Sequence, residues 1–385
     1  MVDTRANPIV ASVPTTQVVE DLGKVDGYLA ALYRQAAGAE GGASAVPVVR
    51  ALLFNLIVLA ASPGEAEVAA LDVSEIAGSH PCRAVVVDVS PARPDEPCAI
   101  VTAVCGITQR GDRRLCGEII RIHPSDSESG IAGLVMPLLI ADVPVFIWLP
   151  GAIPVGDPTF DELVGAADTV LVDSRRFGDL LTQYDAMRGL CAAMGADCAI
   201  RDLAWTSLEP WMELTAQHFD PAVARAHLAE LTDVTVAYTP SDNIGLPPSA
   251  PLLFLSWLLY RLALPTKGLR RVDGGYEMVT RQGDHGVNVR LLAEKSELDP
   301  GGMVTVTIRG GHAGATATFV TTGVSGTQLS ISQECEGVCL PPEVLELPEQ
   351  SAAALAARAL DARRGDPAYE HALAIARSLL AEVER

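Results

Sequence analysis

The sequence predicts an α/β N-terminal domain with a mixed sheet, followed by an α+β domain with an antiparallel meander. Short apolar runs begin after Arg50, and several are too apolar to alternate, which is typical of strands buried on both faces. Helical patterns lie between these runs, and this interleaving indicates an α/β domain. Beyond residue 199 helices come first and a series of β-type runs follows, which favours an α+β domain.

The N-terminal segment, residues 1–46, contains one amphipathic helical pattern from Val18 to Ala37. Its leucines and valines recur at helical spacing, and a linker rich in Gly, Ala and Ser follows. We expect this segment to dock on or cap the next domain rather than to form a domain of its own.

The α/β domain is predicted over residues 47–198. Its predicted strands are Ala51 to Ala60, Arg83 to Val89, Ala99 to Thr108, Leu115 to Ile122, Val143 to Leu149 and Thr169 to Val172. Its predicted helices are Pro63 to Ala77, Ser129 to Ile140 and Arg175 to Met194. The third and fourth strands are separated by Gln-Arg-Gly-Asp at 109–112, which is typical of a hairpin, so the sheet is predicted to be mixed.

The α+β domain is predicted over residues 199–345, and Pro210 is expected in the first turn of its first helix. The predicted helices are Leu208 to Phe219, Pro221 to Leu231 and Leu252 to Leu264. The predicted strands are Val234 to Tyr238, Tyr276 to Arg281, Val287 to Ala293, Met303 to Arg309, Thr316 to Thr321 and Gln328 to Ser332. The Ala-rich tail, residues 346–385, is predicted as one or two helices interrupted near Pro367.

The charge balance excludes two classes of partner. The 385 residues include 28 basic and 48 acidic side chains, a formal net charge of -20. Nucleic acids and anionic membranes require cationic patches, so neither is expected as a partner. The N-terminus lacks an apolar signal segment, which predicts a cytoplasmic protein. Two apolar stretches, Leu134 to Leu149 and Pro251 to Pro265, are interrupted by polar residues or too short to span a bilayer, and we expect both to be buried.

The eight cysteines are too thinly spread for a secreted disulfide framework, and most are expected to be buried thiols. No Cys-x-x-Cys pair occurs and no histidine lies beside them at zinc-ligand spacing, so no metal site is predicted. Cys335 and Cys339, in a segment rich in Gly and Pro, are the candidate redox pair. The alternative is two unlinked thiols at the edge of a sheet.

Motifs of the common enzyme classes are absent, and no cofactor is predicted. The stretch Gly310 to Gly314 is predicted as a hairpin turn rather than a phosphate loop, because a β-type run follows it instead of a helix. In a second segment, His80, Cys82 and Arg83 gather just before a buried strand. That segment is either a helix-to-strand turn or a ligand-binding loop of an α/β sheet.

Tryptophans concentrate in the block from Trp205 to Phe219, which holds two of the four in the chain. On a helix that begins near Pro210, Trp211 would share one face with apolar neighbours. Large aromatic side chains either fill a core or anchor a partner, so the block favours core packing and a protein interface equally.

Six motifs, in order along the chain, together resemble one protein family. They are Phe54 to Val58, Ser79 to Arg83, Cys116 to Ile120, Leu138 to Trp148, Val170 to Ser174 and Asp202 to Trp211. The chain resembles the OpcA family of glucose-6-phosphate dehydrogenase assembly proteins, especially the cyanobacterial type, over residues 48–340. One departure is Leu149, because the family often has a second aromatic residue after the tryptophan matched by Trp148.

The resemblance implies a non-catalytic protein that binds glucose-6-phosphate dehydrogenase, promotes its active oligomer and raises its activity at the entry to the oxidative pentose phosphate pathway. It also implies thioredoxin as a second partner, because cyanobacterial relatives are linked to thioredoxin-dependent redox control. The candidate partner-binding residues are Trp205, Leu208, Trp211, Phe219, Trp148, His80 and Arg83. Two alternatives remain open: a sugar-phosphate enzyme that uses the loop from His80 to Arg83, and a thiol redox carrier.

Overall fold

The computed structural model describes most of the chain as two compact units. The described residues are 15–19, 21–38, 48–90, 98–107, 114–124, 130–194, 199–241, 246–335, 338–339, 341–362 and 365–383. The first unit comprises Met1–Asp173, Cys191–Arg201 and Ala352–Ala362, and the second comprises Ser174–Leu190, Asp202–Ser351 and Arg363–Arg385. The domain bounds 47–198 and 199–345 remain a prediction from the sequence.

Within the described residues, nine strands form the sheet of the first unit. They are β1 (Thr15–Val19), β2 (Val48–Arg50), β3 (Asn55–Ala60), β4 (Arg83–Asp88), β5 (Cys98–Ile107), β6 (Arg114–His123), β7 (Val145–Leu149), β8 (Thr169–Val172) and β9 (Ala199–Asp202). Their order is β1-β5-β6-β4-β3-β7-β8-β9, and β2 pairs with β6.

The centre of this sheet is parallel. β3 pairs in parallel with both β4 and β7, β4 with β6, and β7 with β8. β5 runs antiparallel to β6, as the predicted hairpin requires, so the sheet is mixed. All six residues of β3 and all six of β4 are buried, which explains why their sequences do not alternate. Without the hairpin strand, the order β6-β4-β3-β7-β8-β9 is the 3-2-1-4-5-6 order of the dinucleotide-binding fold.

The described residues contain ten α-helices, and none of them is both long enough and apolar enough to cross a bilayer. They are α1 (Val25–Gly38), α2 (Pro63–Ser79), α3 (Ile131–Val135), α4 (Pro158–Val164), α5 (Leu180–Met194), α6 (Leu203–Gln217), α7 (Ala222–Ala226), α8 (Ser249–Arg261), α9 (Ala352–Asp361) and α10 (Pro367–Val383). In the first unit α2 packs on β5 and β6 and against α9, and α1 packs on β5.

Two predicted helices of the first unit differ from the structure. The pattern from Val18 to Ala37 becomes strand β1 followed by helix α1, because residues 15–19 form a ladder with β5. The predicted helix from Ser129 to Ile140 is limited to α3 and a single 3₁₀ turn, Met136–Leu138. Pro137 lacks the backbone N–H that a longer α-helix would need.

The second unit is built on a sheet that is mostly antiparallel. Its strands are β10 (Glu230–Tyr238), β11 (Arg270–Val272), β12 (Gly275–Gln282), β13 (His285–Ala293), β14 (Met303–His312), β15 (Ala315–Ser325), β16 (Gln328–Cys335), β17 (Val338–Cys339) and β18 (Glu343–Glu346). Their order is β11-β12-β13-β10-β14-β15-β16-β17, and β18 pairs with β16. Among the described strands of the second unit, only β10 and β13 pair in parallel, so the predicted antiparallel sheet is broadly confirmed. The segment from Gly310 to Gly314 does lie at the turn between β14 and β15.

Helices α6, α8 and α10 pack with this sheet, and α6 starts earlier than predicted. The Asp202 carboxylate accepts a hydrogen bond from the backbone N–H of Ala204 and caps the helix, so α6 begins at Leu203. The expectation that Pro210 occupies the first turn is therefore wrong, because Pro210 lies inside the helix. The predicted interruption of the tail near Pro367 is confirmed, because Pro367 begins α10.

Candidate functional site

Trp205 packs inside the second unit. Its side chain is 7% exposed, and its indole Nε1 donates a hydrogen bond to Asp366 Oδ2 at 2.8 Å. The indole centroid lies 5.3 Å from the ring centroid of Tyr369 on α10. Asp366 also accepts from the backbone N–H of Ala368 in the first turn of α10. Trp205 thus holds the start of α10 against α6, which is a core-packing role.

Leu208 and Trp211 lie on the wall of a cavity of about 210 Å³ within the second unit. The other walls come from the 3₁₀ turn that begins at Ser174, the first residues of α8, residues 298–303 and the turn between β15 and β16. Trp211 packs against Gly323, where an added Cβ would lie 3.3 Å from the indole Cζ2. The structure therefore brings two of the predicted residues, Leu208 and Trp211, together at one cavity.

A buried chain of hydroxyl groups borders this cavity. Ser174 Oγ donates to Asp202 Oδ2 at 2.6 Å, and the Ser174 and Ser249 hydroxyls are hydrogen-bonded to each other. Tyr184 Oη lies 2.7 Å from Ser249 Oγ, and Tyr369 Oη donates to Asp202 Oδ2 at 3.3 Å. Burial raises the pKa of Tyr184 well above its usual value, and the nearby Asp202 charge adds to this effect. The Tyr184 phenol is thus a neutral hydrogen-bond donor.

Phe219 belongs to an aromatic cluster of the second unit rather than to the cavity wall. Its ring centroid lies 4.7 Å from that of Phe319 and 6.2 Å from that of His218. His218 Nε2 lies 3.3 Å from Thr321 Oγ1. Burial lowers the pKa of His218, so the neutral imidazole is the form that fits this cluster.

Arg83 is buried in an ion-pair network of the first unit. Its side chain is 2% exposed, and its Nε donates to Glu118 Oε2 at 2.7 Å. Further bonds run to Asp26 Oδ1 at 2.6 Å and to the Leu138 carbonyl at 2.7 Å. Glu118, which has no exposed surface, also accepts from Arg50 at 2.6 Å. The Arg83 guanidinium is therefore engaged internally, which is the physical reason why it offers no surface to a partner.

The rest of the segment from His80 to Arg83 does not form a catalytic group. Cys82 is buried, and burial together with the Glu118 charge raises the pKa of its thiol to about 12. A thiol that stays protonated at neutral pH is a poor nucleophile. His80 keeps 22% of its side chain exposed, and its Nε2 lies 3.1 Å from Asp361 Oδ1. Trp148, on β7, is 2% exposed, so it is also a core residue.

Folds with the strand order of the first unit often bind a dinucleotide. In this unit the dinucleotide would lie at the carboxyl ends of the neighbouring strands β3 and β7. The residues present do not fit one. Glu65 Oε2 accepts from the Ala61 backbone N–H at 2.6 Å, and the Ser62 hydroxyl accepts from the Glu65 N–H at 3.2 Å. An added Cβ on Gly151, just beyond β7, would lie 3.2 Å from Glu65 Oε1.

The Glu65 carboxylate therefore lies at the α2 N-terminus, between the loops that follow β3 and β7. In dinucleotide enzymes the first helical N–H groups bind phosphate. Here Pro63 has no N–H, the Glu65 N–H is bonded to Ser62, and the Glu65 carboxylate holds the Ala61 N–H just before the helix. A phosphate would meet like charge and occupied donors. The pattern Ser-x-x-Glu at 62–65 is the sequence signature of this capping box, and it could have predicted the closure.

The cysteines of the structure are arranged differently from the predicted redox pair. Cys335 is a half-buried free thiol in register with Val338, whereas Cys339 is opposite Glu334, and the Cys339 side chain lies outside the described residues. A disulfide instead joins Cys105 and Cys116, which face each other across β5 and β6. The expectation that most cysteines are buried thiols did not include this cross-strand pair. In the described part of the chain, no group of three or more His, Cys, Asp or Glu side chains is placed to hold a metal ion.

Comparisons with known proteins agree on a family. Residues 73–189 match the glucose-6-phosphate dehydrogenase subunit N-terminal domain, and residues 198–373 match the corresponding C-terminal domain. Cyanobacterial proteins named OxPP cycle protein OpcA are similar over about half of the chain. The protein from Nostoc punctiforme is 30% identical, over 53% of this chain and 43% of its own length. The protein from Synechocystis sp. is 28% identical, over 53% of this chain and 42% of its own length. The matched part thus spans less than half the length of these relatives.

Among solved structures, the transcriptional regulator Gal80p from Kluyveromyces lactis is similar with a TM-score of 0.50 and 9% identity. The alignment covers 86% of this chain and 88% of that one, and at this identity it shows a shared fold alone. The two family domains together match more than half of the 385 residues. The chain therefore belongs to the OpcA family of glucose-6-phosphate dehydrogenase assembly proteins.

Proposed function

We propose that this chain is a non-catalytic, cytoplasmic partner of glucose-6-phosphate dehydrogenase that favours the active oligomer of that enzyme at the entry to the oxidative pentose phosphate pathway. Family membership supports the choice of partner. The observation that carries the non-catalytic part is the position of the Glu65 carboxylate at the start of α2, where a dinucleotide enzyme would hold phosphate.

An activator of this kind works by differential binding. It shifts its partner toward the active form only as far as it binds that form more tightly than the inactive one. A tenfold rise in the active population needs about 1.4 kcal/mol of difference in binding free energy. A few well-packed contacts at an interface supply this amount.

Helix α2 is the element we propose for contact with the dehydrogenase. Two apolar side chains on it are largely exposed, Val68 at 53% and Leu71 at 72%. They are three residues apart and so lie next to each other on the helix surface. Glu67 and Glu75 flank them, and the candidate residue His80 follows the C-terminal end of α2. An acidic rim around an apolar centre fits a partner surface with the opposite charge.

The seven candidate partner-binding residues fall into a buried group and a partly exposed group. Five are at most 7% exposed: Trp148, Trp205, Leu208, Trp211 and Arg83. His80 and Phe219 are only partly buried and remain candidates for direct contact. Substitution of a buried residue would act on the partner by changing the fold of its own unit.

The test is a dehydrogenase assay with and without this chain, paired with size-exclusion chromatography of the mixture. We expect co-elution and a higher rate, and Leu71→Asp should weaken both at least about tenfold. Val155→Asp is the matched control, because Val155 is 64% exposed in the first unit but does not lie on α2. Neither a rate change nor co-elution with the unaltered chain would exclude the partner. A loss of activation by the control alone would exclude α2 as the contact.

The structure gives less support to the two alternative functions, a sugar-phosphate enzyme and a thiol redox carrier. The sugar-phosphate enzyme needs reactive groups at His80, Cys82 and Arg83, but the thiol and the guanidinium are buried. A redox carrier needs an accessible disulfide, whereas Cys105 and Cys116 are 6% and 0% exposed. Thioredoxin as a second partner stays a prediction from the family resemblance.

A further inference from the structure

We propose that a cavity in the second unit binds a small organic anion through one carboxylate or phosphate group. This cavity, which we call the tyrosine cavity, is lined by Tyr238, Tyr276 and Arg271, where β10 and β13 end and β12 begins. Its volume of about 380 Å³ falls within the range of roughly 300–1,000 Å³ that is typical of small-molecule sites. The proposal does not depend on the dehydrogenase partner.

The strand register brings the lining side chains together on one face of the sheet. Arg271 on β11 lies opposite Tyr276 on β12, and Tyr276 lies opposite Leu291 on β13. Tyr238 on β10 lies opposite Ala293, two residues after Leu291. Because paired residues and alternate residues of a strand point to the same face, Arg271, Tyr276 and Tyr238 share one face. Ala293 is exposed although it shares the face of the buried Leu291, so its methyl group leaves a gap between the two tyrosines.

The hydroxyls of Tyr238 and Tyr276 have no partner within the described part of the protein. The two residues are 6% and 4% exposed, yet no hydrogen bond links either Oη to another described residue. Polar side-chain atoms that are sealed off without a partner occur elsewhere among these residues, but neither Oη is one of them. Both oxygens are therefore open to the tyrosine cavity. Since buried hydroxyls require a hydrogen-bond partner, that partner comes from the cavity itself.

The two phenols are neutral donors that lie close to a cation. Burial raises the pKa of Tyr238 to about 12, and the neighbouring Tyr276 adds to this effect. Burial also raises the pKa of Tyr276, so both hydroxyls keep their protons at neutral pH. The Arg271 charge partly offsets both shifts, so the guanidinium lies within electrostatic reach of both phenols. Arg270 pairs with Glu277, whereas among the described residues no ion pair or hydrogen bond engages Arg271.

This set of donors selects an oxyanion. Two phenol O–H groups and a guanidinium can all donate to one carboxylate or phosphate, and such charge-assisted hydrogen bonds are stronger than those to a neutral acceptor. Asp273 also lines the cavity and is exposed on the turn between β11 and β12, so its charge disfavours a second anionic group on the ligand. Pro240, Leu246 and Val272 add apolar surface, which suits a small organic body attached to the anion.

The test is isothermal titration calorimetry of the full chain with glycerate, glycerol 3-phosphate and glycerol. The three probes share a three-carbon body and differ in carrying a carboxylate, a phosphate or neither. We expect at least one of the two anions to bind at least about tenfold more tightly than glycerol, and the tighter of the two identifies the anionic group.

Two substitutions remove the donors. Tyr276→Phe and Arg271→Gln should each weaken binding of the anion at least about tenfold, because each removes one hydrogen bond to a charged acceptor. Tyr276→Phe should also leave the urea midpoint of unfolding unchanged, since its hydroxyl has no partner among the described residues. A lower midpoint would show that the hydroxyl is bonded within the protein and would overturn the proposal.

A third substitution fills the tyrosine cavity. Ala293→Phe should abolish binding, and Val279→Phe is the matched control, because Val279 is 59% exposed and lies on the opposite face of β12. Circular dichroism establishes that both variants fold. Undiminished binding by folded Ala293→Phe, binding of glycerol as tight as that of the anions, or no binding of either anion at about 10 mM would each overturn the proposal.

Discussion

The ion-pair network around Glu118 leads to a strong prediction about stability. Glu118→Ala removes the carboxylate that Arg83 Nε contacts at 2.7 Å in a region where Arg83 is only 2% exposed. The remaining partners of Arg83 are the Leu138 carbonyl and Asp26, whose side chain is 74% exposed and therefore solvent-screened. A buried guanidinium that loses its buried partner costs about 3–5 kcal/mol.

The reverse substitution should cost less. In Arg83→Met, Glu118 keeps its contact with Arg50 at 2.6 Å, so we expect a loss of about 1–3 kcal/mol. The double variant Arg83→Met/Glu118→Leu replaces both buried charges by apolar side chains and should recover most of the stability. This ordering separates an unpaired charge from a simple loss of packing, because packing losses would add in the double variant.

The assay is urea unfolding followed by circular dichroism, with hydrogen exchange of peptides from β4 and β6 to assign the loss to the first unit. A Glu118→Ala variant within about 1 kcal/mol of the unaltered chain would refute the buried network. So would a double variant that is less stable than both single variants, because the two charges would then not be coupled.

Three further substitutions test other parts of the structure. Trp205→Phe removes the hydrogen bond to Asp366 and should lower the free energy of unfolding of the second unit by about 1–2 kcal/mol in a denaturant titration. If the variant instead activates the dehydrogenase less but is as stable as the unaltered chain, Trp205 is a partner contact. Burial lowers the pKa of His218 below 6.5, so the unfolded state takes up a proton first as the pH falls. The free energy of unfolding should therefore decrease as the pH drops below about 6.5. The variant His218→Asn should flatten the pH dependence of the urea midpoint, and an unchanged slope would contradict the assignment. Glu65→Ala removes the acceptor of the Ala61 N–H and should lower the melting temperature through a loss of about 1 kcal/mol. Titration of the unaltered chain with NADPH should give no binding, and a Kd below about 1 mM would contradict the closure.

Local patterns were sufficient for most of the sheet elements. The uninterrupted apolar runs of β3 and β4 predict strands buried on both faces. The Gly-containing turns between β12, β13, β14 and β15 predict a meander, and the sheet departs from it where β10 lies between β13 and β14. The N-terminal strand β1 was missed, because its ladder partners lie on β5, eighty or more residues further along the chain. The start of α6 was missed because Pro210 suggested a first turn, although the cap at Asp202 stabilises an earlier one.

The candidate sites were less predictable than the fold. The sequence places His80, Cys82 and Arg83 in one segment, but only tertiary contacts show that the thiol and the guanidinium are buried beside Glu118. Likewise, nothing local in the sequence joins Ser174 to Ser249, which is 75 residues further along. Tertiary packing therefore turned one apparent catalytic segment into a structural network and assembled a cavity elsewhere.

The sequence by itself determined the family and the order of most of the longer strands and helices, because motifs and periodicity are local properties of the chain. The tertiary structure decided which polar groups are buried, paired or open to a ligand. The physical reason is that desolvation and ion pairing depend on neighbours from distant segments, such as Asp26 and Glu118 around Arg83.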